Sequence, residues 1–434
     1  MTAIFFIVVT LGYLIWASRG PSHALAATAA LMPFNQIVPS GFIPGVNVAT
    51  IALLIALVAI SKTKKNPALS FPKLVLIFAI VLTLGYVHSL FVQLPHRYEA
   101  LFDPWANFLK FKEWMTTLFL GYAAFRVAED VESAERIIKG GILGFGTEIV
   151  FCFLEYVVKG GRVSGHLEEA NSTGAFLATY AALSLGIYMA LKKDKRRWIL
   201  LALGIAGAIG TVGTRSRGGF LALGASFLLT SFARNRLVAI GVIIMAVTYQ
   251  SWMPDVLLQR FDVAYTVDDT GKVQAADTAA SRIEIWKAGF RTIPDYPFGL
   301  GFGLYAYIVP TYGLEDLLHR PVKNAHNDFV LMAVEFSLLG GLLYIALLLT
   351  MLRKAWRTSK KDPDATMRAL GGGVVGGLVG AMAATLAVSL MLRLDFGGVL
   401  WILAGVAARR AAEISTAKPE PSRQPAPQVP AVRR

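Results

Sequence analysis

Residues 327–361, NDFVLMAVEFSLLGGLLYIALLLTMLRKAWRTSKK, contain the pattern that decides the fold. After a polar start the run is mostly apolar as far as Leu352, and it ends in the basic cluster 353–361. A helical apolar run of about 20 residues crosses the hydrocarbon core of a bilayer. Lysine and arginine collect on the cytoplasmic side of such helices. The stretch therefore predicts a membrane-spanning helix whose basic end faces the cytoplasm.

The same pattern recurs along the chain of 434 residues, of which 55% are hydrophobic and only 16% charged. In soluble domains about a quarter of the residues are charged. The composition predicts an all-α polytopic membrane protein with about twelve transmembrane helices. The predicted spans are residues 3–18, 45–61, 73–92, 113–127, 137–158, 173–191, 198–213, 218–233, 236–252, 328–352, 369–391 and 396–408.

The formal net charge is +14, which in a soluble protein would suggest a nucleic-acid partner. Here the basic residues lie in short segments between the spans, so their distribution indicates topology and no nucleic-acid partner is expected. Both termini are then expected in the cytoplasm. The basic clusters occupy residues 62–65, 192–197, 234–236, 353–361 and 408–410.

Three segments fall outside this pattern. Residues 22–37 are apolar but short and interrupted, which predicts a re-entrant or interfacial piece; if they cross, there are thirteen spans and an external N-terminus. The long loop of about residues 253–325 is predicted to be external and to carry a short helix near residues 281–293. The transmembrane domain is predicted to cover residues 1–414, with a disordered cytoplasmic tail at 415–434.

Two arginines stand between spans in the segment GTRSRGG, residues 213–219. Arg215 and Arg217 lie on the face that should be poor in basic residues. They could be interfacial anchors whose side chains reach the headgroups. Guanidinium groups beside Gly218 and Gly219 also fit a phosphate or diphosphate, which an arginine binds through two parallel hydrogen bonds. The segment favours an anion site, and the sequence does not tell which arginine faces it.

Two further arginines occupy the predicted loop helix. Arg282 and Arg291 are nine residues apart, which in an ideal helix places them on opposite faces. Spacing alone therefore favours solvated charges that pair with Glu284 or Asp295.

A polar opening precedes the apolar run of residues 328–352. Asn324 could cap the helix, and the helix dipole favours Asp328 in the first turn. Neither role explains His326, which a helix N-terminus should keep neutral. A neutral imidazole at the outer membrane face can act as a general base, although a merely hydrogen-bonded interfacial histidine is the commoner case. Lys323 lies in the same opening.

A second polar patch, GRVSGHLEEANSTG, precedes the span at 173–191. It contains Arg162, His166 and Asn171, together with adjacent glutamates that point in different directions and make a weak acid–base pair. Neither this patch nor the rest of the chain has the spacing of a zinc site, a phosphate-binding loop or a nucleophile elbow. No metal or cofactor is expected.

Taken together, four segments in order resemble the O-antigen ligase and O-antigen polymerase superfamily of bacterial inner-membrane glycosyltransferases. The resemblance covers roughly residues 45–408, and its order and spacing are more specific than any one motif. Ser337 stands where these proteins often have glycine. The four segments are GRVSGHLEEANSTGAFLATY, TRSRGGFLAL, SRIEIWKAGFRTIPDYPFGLGFGLY and NAHNDFVLMAVEFSLLGG.

The resemblance implies a metal-independent enzyme on the periplasmic face, which moves a glycan from an undecaprenyl-diphosphate carrier to an acceptor hydroxyl. It implies that His326 is the base, and that Arg215 or Arg217 acts with Arg282 on the diphosphate. We predict that the remaining polar residues of these segments contact substrate. They are Arg162, Asn171, Arg291, Lys323 and Asn324.

The first hypothesis is an O-antigen ligase with a sugar of lipid A-core as acceptor, which the single long outer loop favours. The alternatives are a repeat-unit polymerase and an enzyme that glycosylates protein side chains. From other classes, a polysaccharide or lipid transporter predicts charges near mid-span and related halves, and neither is seen here. A non-catalytic assembly scaffold would tolerate the loss of His326.

Overall fold

The computed structural model describes most of the chain. The described residues are 11–34, 48–64, 66–67, 69–165, 167, 169–191, 195, 197–232, 240–241, 243–244, 247–248, 251, 265–267, 273–275, 279–314 and 324–416.

These residues are helical apart from turns and one antiparallel hairpin, in which Tyr265–Val267 pairs with Val273–Ala275. Residues 11–17 are helical, and single turns form at His96–Glu99 and Tyr305–Ile308. The numbered helices are α1 (Pro21–Leu31), α2 (Val48–Ser61), α3 (Lys73–Ser89), α4 (Pro104–Val127), α5 (Val131–Lys159), α6 (Ala170–Ala190), α7 (Arg197–Thr214), α8 (Arg217–Phe232), α9 (Ala279–Arg291), α10 (Asp328–Glu335), α11 (Ser337–Lys361), α12 (Ala365–Ala384) and α13 (Leu394–Thr416).

Five of the described helices, α5, α6, α7, α11 and α12, are long and apolar enough to cross a membrane. Three shorter apolar stretches lie within α2, α3 and α8. The chain is therefore a helical membrane protein with several spans. The total of about twelve stays a prediction, since the expected spans at 3–18 and 236–252 lie partly outside the described residues.

The outward faces of the helices are apolar. On α11, Leu338, Leu342, Ile345 and Leu349 recur at helical spacing and are between 36% and 63% exposed. Monomeric soluble proteins rarely expose such a continuous apolar face. The face therefore contacts lipid, and the opposite face of α11 packs into the protein through Tyr344 and Leu348.

The centre of the bundle is formed by α6 and α12, which pack closely through glycines. A Cβ on Gly373 would lie 2.6 Å from the carbonyl oxygen of Leu183, and one on Gly186 would lie 2.8 Å from the Cα of Gly373. Small residues allow membrane helices to approach in this way. Glycines within residues 371–380 therefore support close helix packing.

Two predicted basic segments meet at one end of the bundle. Arg410, near the end of α13, forms an ion pair of 2.9 Å with Asp362, which directly follows α11. The predicted outer segments gather at the other end, where the amide of Val163 donates to the carbonyl of Gly213. The contacts therefore group the two basic segments together and the two outer segments together, while the full topology stays a prediction.

The prediction of one continuous helix over residues 328–352 is wrong. The chain breaks between α10 and α11, where Ser337 has φ +67°. A glycine-rich turn takes up the last carbonyls of α10, because the amides of Leu300 and Gly301 donate to Val334 and Glu335 at 3.0 and 2.9 Å. The partner turn lies more than thirty residues away in sequence, so the local pattern contains no sign of the break.

Two other predicted boundaries differ from the structure. The span expected from residue 113 begins at Pro104, because Asp103 caps α4 by accepting a hydrogen bond from the amide of Trp105. Residues 22–37 were predicted to be re-entrant or interfacial; within them α1 is short but buried, with Ala26 and Ala29 closely packed against Gly140 and Gly144 of α5. The helix α13 extends to Thr416, and the predicted tail beyond it lies outside the described residues.

Candidate functional site

The turn between α7 and α8 holds the two arginines of the GTRSRGG segment. Arg215 adopts φ +50°, a left-handed conformation. Ser216 is fully buried and caps α8 by accepting a hydrogen bond from the amide of Gly219 at 3.1 Å. Arg217 is the first residue of α8. The segment therefore forms a tight helix-to-helix turn with both arginines at its surface-facing edge, half-buried.

Glycines let this turn sit against the start of α6. A Cβ on Gly174 would lie 2.5 Å from Ser216, and one on Gly219 would lie 2.8 Å from the backbone of Gly174. A real Cβ would therefore collide in both cases. Gly218 faces a different neighbour, and a Cβ there would approach the Cβ of Ala387 at 3.1 Å.

Arg162 and Asn171 brace the same turn. The Nε of Arg162 donates to the carbonyl of Thr214 at 2.8 Å, and its Nη2 donates to Oδ1 of Asn171 at 2.8 Å. Both residues were predicted to contact substrate. Their hydrogen bonds fix the end of α7 one residue before Arg215, and their contact with substrate stays a prediction.

The helix α9 confirms the helix predicted near residues 281–293. Ile285 and Ala288 are buried, whereas Ile283 and Phe290 are 45% and 44% exposed. From this helix Arg282 donates through Nη1 to the carbonyl of Ala387 at 2.7 Å.

Arg291, at the far end of α9, lies apart from Arg282. Its Nη1 approaches the carbonyl of Tyr312 at 3.3 Å, and the hydroxyl of Tyr312 donates to Asp295. Burial and the neighbouring Asp295 carboxylate raise the pKa of the Tyr312 hydroxyl, so it stays protonated as a donor. Arg291 therefore contacts the chain after α9 through the carbonyl of Tyr312, and its predicted contact with substrate stays a prediction.

His326 directly precedes α10 and is partly buried, with φ +49°. Its amide donates to Oδ1 of Asn324 at 2.8 Å. The prediction that Asn324 caps the helix is wrong, because Asn327 is the cap and accepts from the amides of Phe329 and Val330 at 2.9 and 3.2 Å. Asn324 fixes the bend at His326 instead. Lys323 and His166 lie outside the described residues.

Asp328 lies in the first turn of α10, as predicted, but its surroundings are more specific than a dipole interaction. Its side chain is buried and accepts hydrogen bonds from the amides of Met391 and Leu390, at 2.9 and 3.3 Å, and from the hydroxyl of Tyr344 at 3.2 Å. Its own amide donates to the carbonyl of Thr385 at 2.9 Å.

The three predicted site segments all contact the non-helical chain between α12 and α13, here named the 385–393 segment. Asp328 reaches it at Thr385, Arg282 reaches it at Ala387, and Gly218 packs against Ala387. The helix α9 also contacts the His326 loop, since Nε1 of Trp286 donates to the carbonyl of Ala325 at 2.8 Å. Residues distant in sequence therefore meet at one place.

The 385–393 segment was not among the predicted site residues. Its contacts to Asp328 and Arg282 use mainly backbone carbonyls and amides. Its side chains from Leu386 to Val388 are apolar, and the side chain of Ser389 lies beside Asp328. Its far end is fixed by charge: Arg393 binds Asp395 through two hydrogen bonds, of 3.2 and 2.5 Å, and Glu113 accepts from the amide of Leu394 at 2.9 Å. Arg393, Asp395 and Glu113 form no motif that could be recognised in the sequence.

The described residues contain no group of three or more histidine, cysteine or acidic side chains placed to hold a metal ion. The guanidinium of Arg282 contacts the 385–393 segment directly, and Arg217 and His326 belong to elements whose neighbouring residues, Gly218 and Asp328, also contact it. Their chemistry suits an anion and a proton transfer.

Comparison with known families supplies independent support. Residues 202–345 match the family model Wzy_C, described as O-antigen ligase. The match includes the α7–α8 turn, α9 and the His326 loop, and it confirms the resemblance to the O-antigen ligase and polymerase superfamily. It supports an enzyme of the ligase or polymerase type. No curated protein matches the chain.

Proposed function

We propose that this membrane protein, with its O-antigen ligase family match at residues 202–345, transfers a glycan from undecaprenyl diphosphate to a sugar hydroxyl of lipid A-core. The reaction would take place at the periplasmic face of the bacterial inner membrane. The observation that carries the proposal is the meeting of the α7–α8 turn, Arg282 and the His326 loop at the 385–393 segment.

In this scheme His326 accepts the proton of the acceptor hydroxyl. The acceptor oxygen then attacks the anomeric carbon, and the bond between that carbon and the diphosphate oxygen breaks with its electron pair going to the diphosphate. A single displacement of this kind inverts the anomeric centre. Because diphosphate is a good leaving group, the scheme needs a base on the attacking side and charge stabilisation on the leaving side.

The leaving diphosphate would be held by Arg282 and by an arginine of the α7–α8 turn. Arg215 suits this role because, among the described residues, its guanidinium forms no hydrogen bond or ion pair. A bidentate contact with phosphate oxygens would supply partners that the protein itself does not. Arg162 and Asn171 would position this arginine without touching the substrate.

The direct test uses purified protein in lipid nanodiscs with a lipid-linked glycan and two alternative acceptors, lipid A-core and a second lipid-linked repeat. We expect glycosylated lipid A-core from the native chain. His326→Ala should lose turnover by about 10²–10⁴-fold, the usual contribution of a general base, while it retains donor binding.

His96→Ala is the matched control, because the His96 side chain is 94% exposed and hydrogen-bonds Glu99 within its own helical turn. It should behave as the native chain does. A lengthened lipid-linked repeat with unmodified lipid A-core would identify a polymerase. Normal turnover in His326→Ala would exclude its role as the base, and no product with either acceptor would contradict the transferase proposal.

A further inference from the structure

An apolar groove opens between the helical residues 11–17, α1 and α2, and is here named the α1–α2 groove. Its volume is about 310 Å³, at the lower end of the range of specific small-molecule sites. It is lined by Leu14, Ala17, Ser18, Gly20, Pro21, Ala24, Leu54, Ile55, Val58, Ala59 and Lys62. One of these side chains, that of Lys62, is charged.

The walls of the α1–α2 groove face outward and its floor is buried. Leu14, Leu54 and Val58 on the walls are 46%, 57% and 55% exposed, whereas Ala24 and Ala59 are 4% and 2% exposed. Apolar walls exclude water, so within a membrane a hydrocarbon chain covers them. The groove therefore fits an acyl chain.

The start of α1 lies at the end of the bundle where α5 begins. Nη1 of Arg136 donates to the hydroxyl of Ser22 at 2.6 Å, and Gly144 packs against Ala29 about two turns further along both helices. The helix α1 therefore runs parallel to α5. The turn of residues 18–20, which precedes α1, lies at the same end.

The end of α2 reaches this place as well. Nη2 of Arg126, in the last turn of α4, donates to the carbonyl of Thr63 at 3.4 Å, just beyond α2, and α5 follows α4 after a connection of three residues. Gly20 and Lys62 accordingly line one groove. Because residues 62–65 are a predicted cytoplasmic cluster, the arrangement favours the alternative in which the N-terminus is external.

Positive charge collects at this end of the α1–α2 groove. Lys62 lines the groove, Lys64 follows it, and Arg19 stands between the lining residues Ser18 and Gly20. Arg19, Lys62 and Lys64 are exposed. Among the described residues, the side chains of these three cations form no hydrogen bond or ion pair.

Two acidic side chains at the same end are already engaged. Glu132 pairs with Arg136 at 2.5 Å, and Asp130 caps α5 by accepting from the amide of Ser133 at 2.6 Å. The cations beside the groove therefore suit an anion that comes from outside the protein.

We propose that the α1–α2 groove binds an anionic phospholipid of the cytoplasmic leaflet, with an acyl chain between its walls and the phosphate at Lys62 and Arg19. Basic pockets between membrane helices on the cytoplasmic side bind anionic headgroups in this way. A zwitterionic phospholipid carries its own cation beside the phosphate and gains less from these side chains. This binding goes beyond the proposed glycan transfer and does not depend on it.

Photo-crosslinking tests the occupant. The probe is phosphatidylglycerol with a diazirine in one acyl chain, added to the full-length protein in a neutral detergent. We expect labelled peptides from residues 14–24 and 54–62, and competition by unlabelled phosphatidylglycerol but not by phosphatidylcholine with the same acyl chains. Equal competition by phosphatidylcholine would overturn the proposal. So would a dimeric chain without label in these peptides, which would identify a second copy as the occupant.

Removing the charges tests the headgroup contact. Lys62→Gln and Arg19→Gln should each lower the affinity for phosphatidylglycerol about five-fold, the effect of one basic residue near an anionic membrane surface. The affinity is measured from the rise of the thermal midpoint with lipid concentration. Lys361→Gln, at an exposed position at the basic end of α11 and outside the groove, is the matched control and should bind as the native chain does.

Two outcomes of this titration would contradict the proposal. One is an unchanged affinity in both Lys62→Gln and Arg19→Gln. The other is an equal rise of the midpoint with inorganic phosphate alone, which would indicate a simple anion site without a role for the acyl chain.

Filling the groove tests the acyl-chain contact. Ala17→Trp should lower the affinity for phosphatidylglycerol about ten-fold or more, the effect of excluding two methylene groups. Ile15→Trp, at a position of the same helical segment that is 64% exposed and outside the groove, is the control and should keep the native affinity. The midpoint without lipid shows whether each variant is folded. Native affinity in folded Ala17→Trp would exclude the groove as the site.

Discussion

Three described residues other than glycine have a left-handed backbone, and two of them are predicted site residues. They are Arg215, His326 and Ser337, with φ of +50°, +49° and +67°. This conformation costs a non-glycine residue roughly 1–2 kcal/mol. Such conformations are concentrated at functional sites, where the surrounding structure holds them in place. The backbone thus supports the roles proposed for Arg215 and His326 independently of any motif.

The conformational cost of the positive φ at His326 can be tested by comparing two replacements that both remove the imidazole. His326→Gly should have a free energy of unfolding about 1 kcal/mol higher than His326→Ala, because glycine adopts positive φ without a Cβ penalty. Both variants should lack transfer. Equal stability of the two variants, measured by thermal unfolding in detergent, would show that the bend is not strained.

The bracing role of Arg162 makes a different prediction. If Arg162 acts through Asn171 and Thr214 to position the α7–α8 turn, Arg162→Ala and Asn171→Ala should affect the same interaction. Their effects on the KM for the donor should therefore be non-additive, with a coupling of about 0.5–3 kcal/mol. Additive effects in the double variant would favour separate contacts with the substrate.

Local sequence predicted the residue types at the site better than their partners. The bend before α10 was expected to contain a capping amide, and it does, but Asn327 and not Asn324 is the cap. Two asparagines three residues apart fit the same capping pattern, and only the tertiary contact of Asp328 with the 385–393 segment fixes the start of the helix.

At the scale of the elements, apolar blocks located helices well, because the membrane requires long apolar runs to be helical. The break between α10 and α11 was missed because its cause is a distant glycine turn. Gly299 and Gly301 in that turn have φ of +89° and +93° and lie against Glu335 and Ser89. Side-chain periodicity carries no information on such a backbone contact.

Ser337 at this break provides a stabilising substitution. Ser337→Gly should raise the free energy of unfolding by about 1 kcal/mol, because the position has φ +67°, and activity should not change. Ser337→Ala, which keeps a Cβ, is the control and should gain nothing. A thermal midpoint for Ser337→Gly at or below that of the native chain would contradict the assignment of strain.

Because the glycine turn is closely packed, replacing Gly301 with alanine should destabilise the protein more than the same change at a glycine with free space around it. Alanine at Gly301 would place its Cβ 2.8 Å from the Cα of Ser89, in addition to the cost of φ +93°. Gly160 has φ +65°, and a Cβ there would have no atom within 4 Å. Gly160→Ala should therefore carry only the cost of the positive φ. Gly301→Ala should therefore lower the thermal midpoint more than Gly160→Ala does, and equal losses would indicate that the turn does not pack against α3.

For the whole molecule, the apolar outward faces make a prediction about the environment. Leu342→Lys, on the lipid-facing side of α11 where Leu342 is 63% exposed, should impair membrane insertion by about 2.5–3.5 kcal/mol. Trp356→Lys, at an exposed position near the basic end of the same helix, is the control and should be tolerated. Insertion of both variants can be compared by protease protection; equal insertion would contradict the assignment of this face to lipid.

Composition and charge pattern were sufficient for the class of fold, since both follow directly from the properties of a bilayer. The arrangement of the helices was not predictable from the sequence. The helices α6 and α12 pack together at glycines such as Gly186 and Gly373, and such contacts produce no periodic pattern in the sequence. The same limit applies to the site: Arg282 was placed among solvated charges by its spacing, and only the tertiary structure directs it to Ala387.

The 385–393 segment receives its neighbours through main-chain carbonyls and amides. Replacing its apolar residues one at a time with alanine would leave those groups in place, so such a scan would detect mainly the side-chain contacts of Ser389 and Arg393. Inserting or deleting a single residue would instead rotate each carbonyl away from Asp328 and Arg282 together. We therefore expect the length of this segment to matter more than the identity of its apolar side chains.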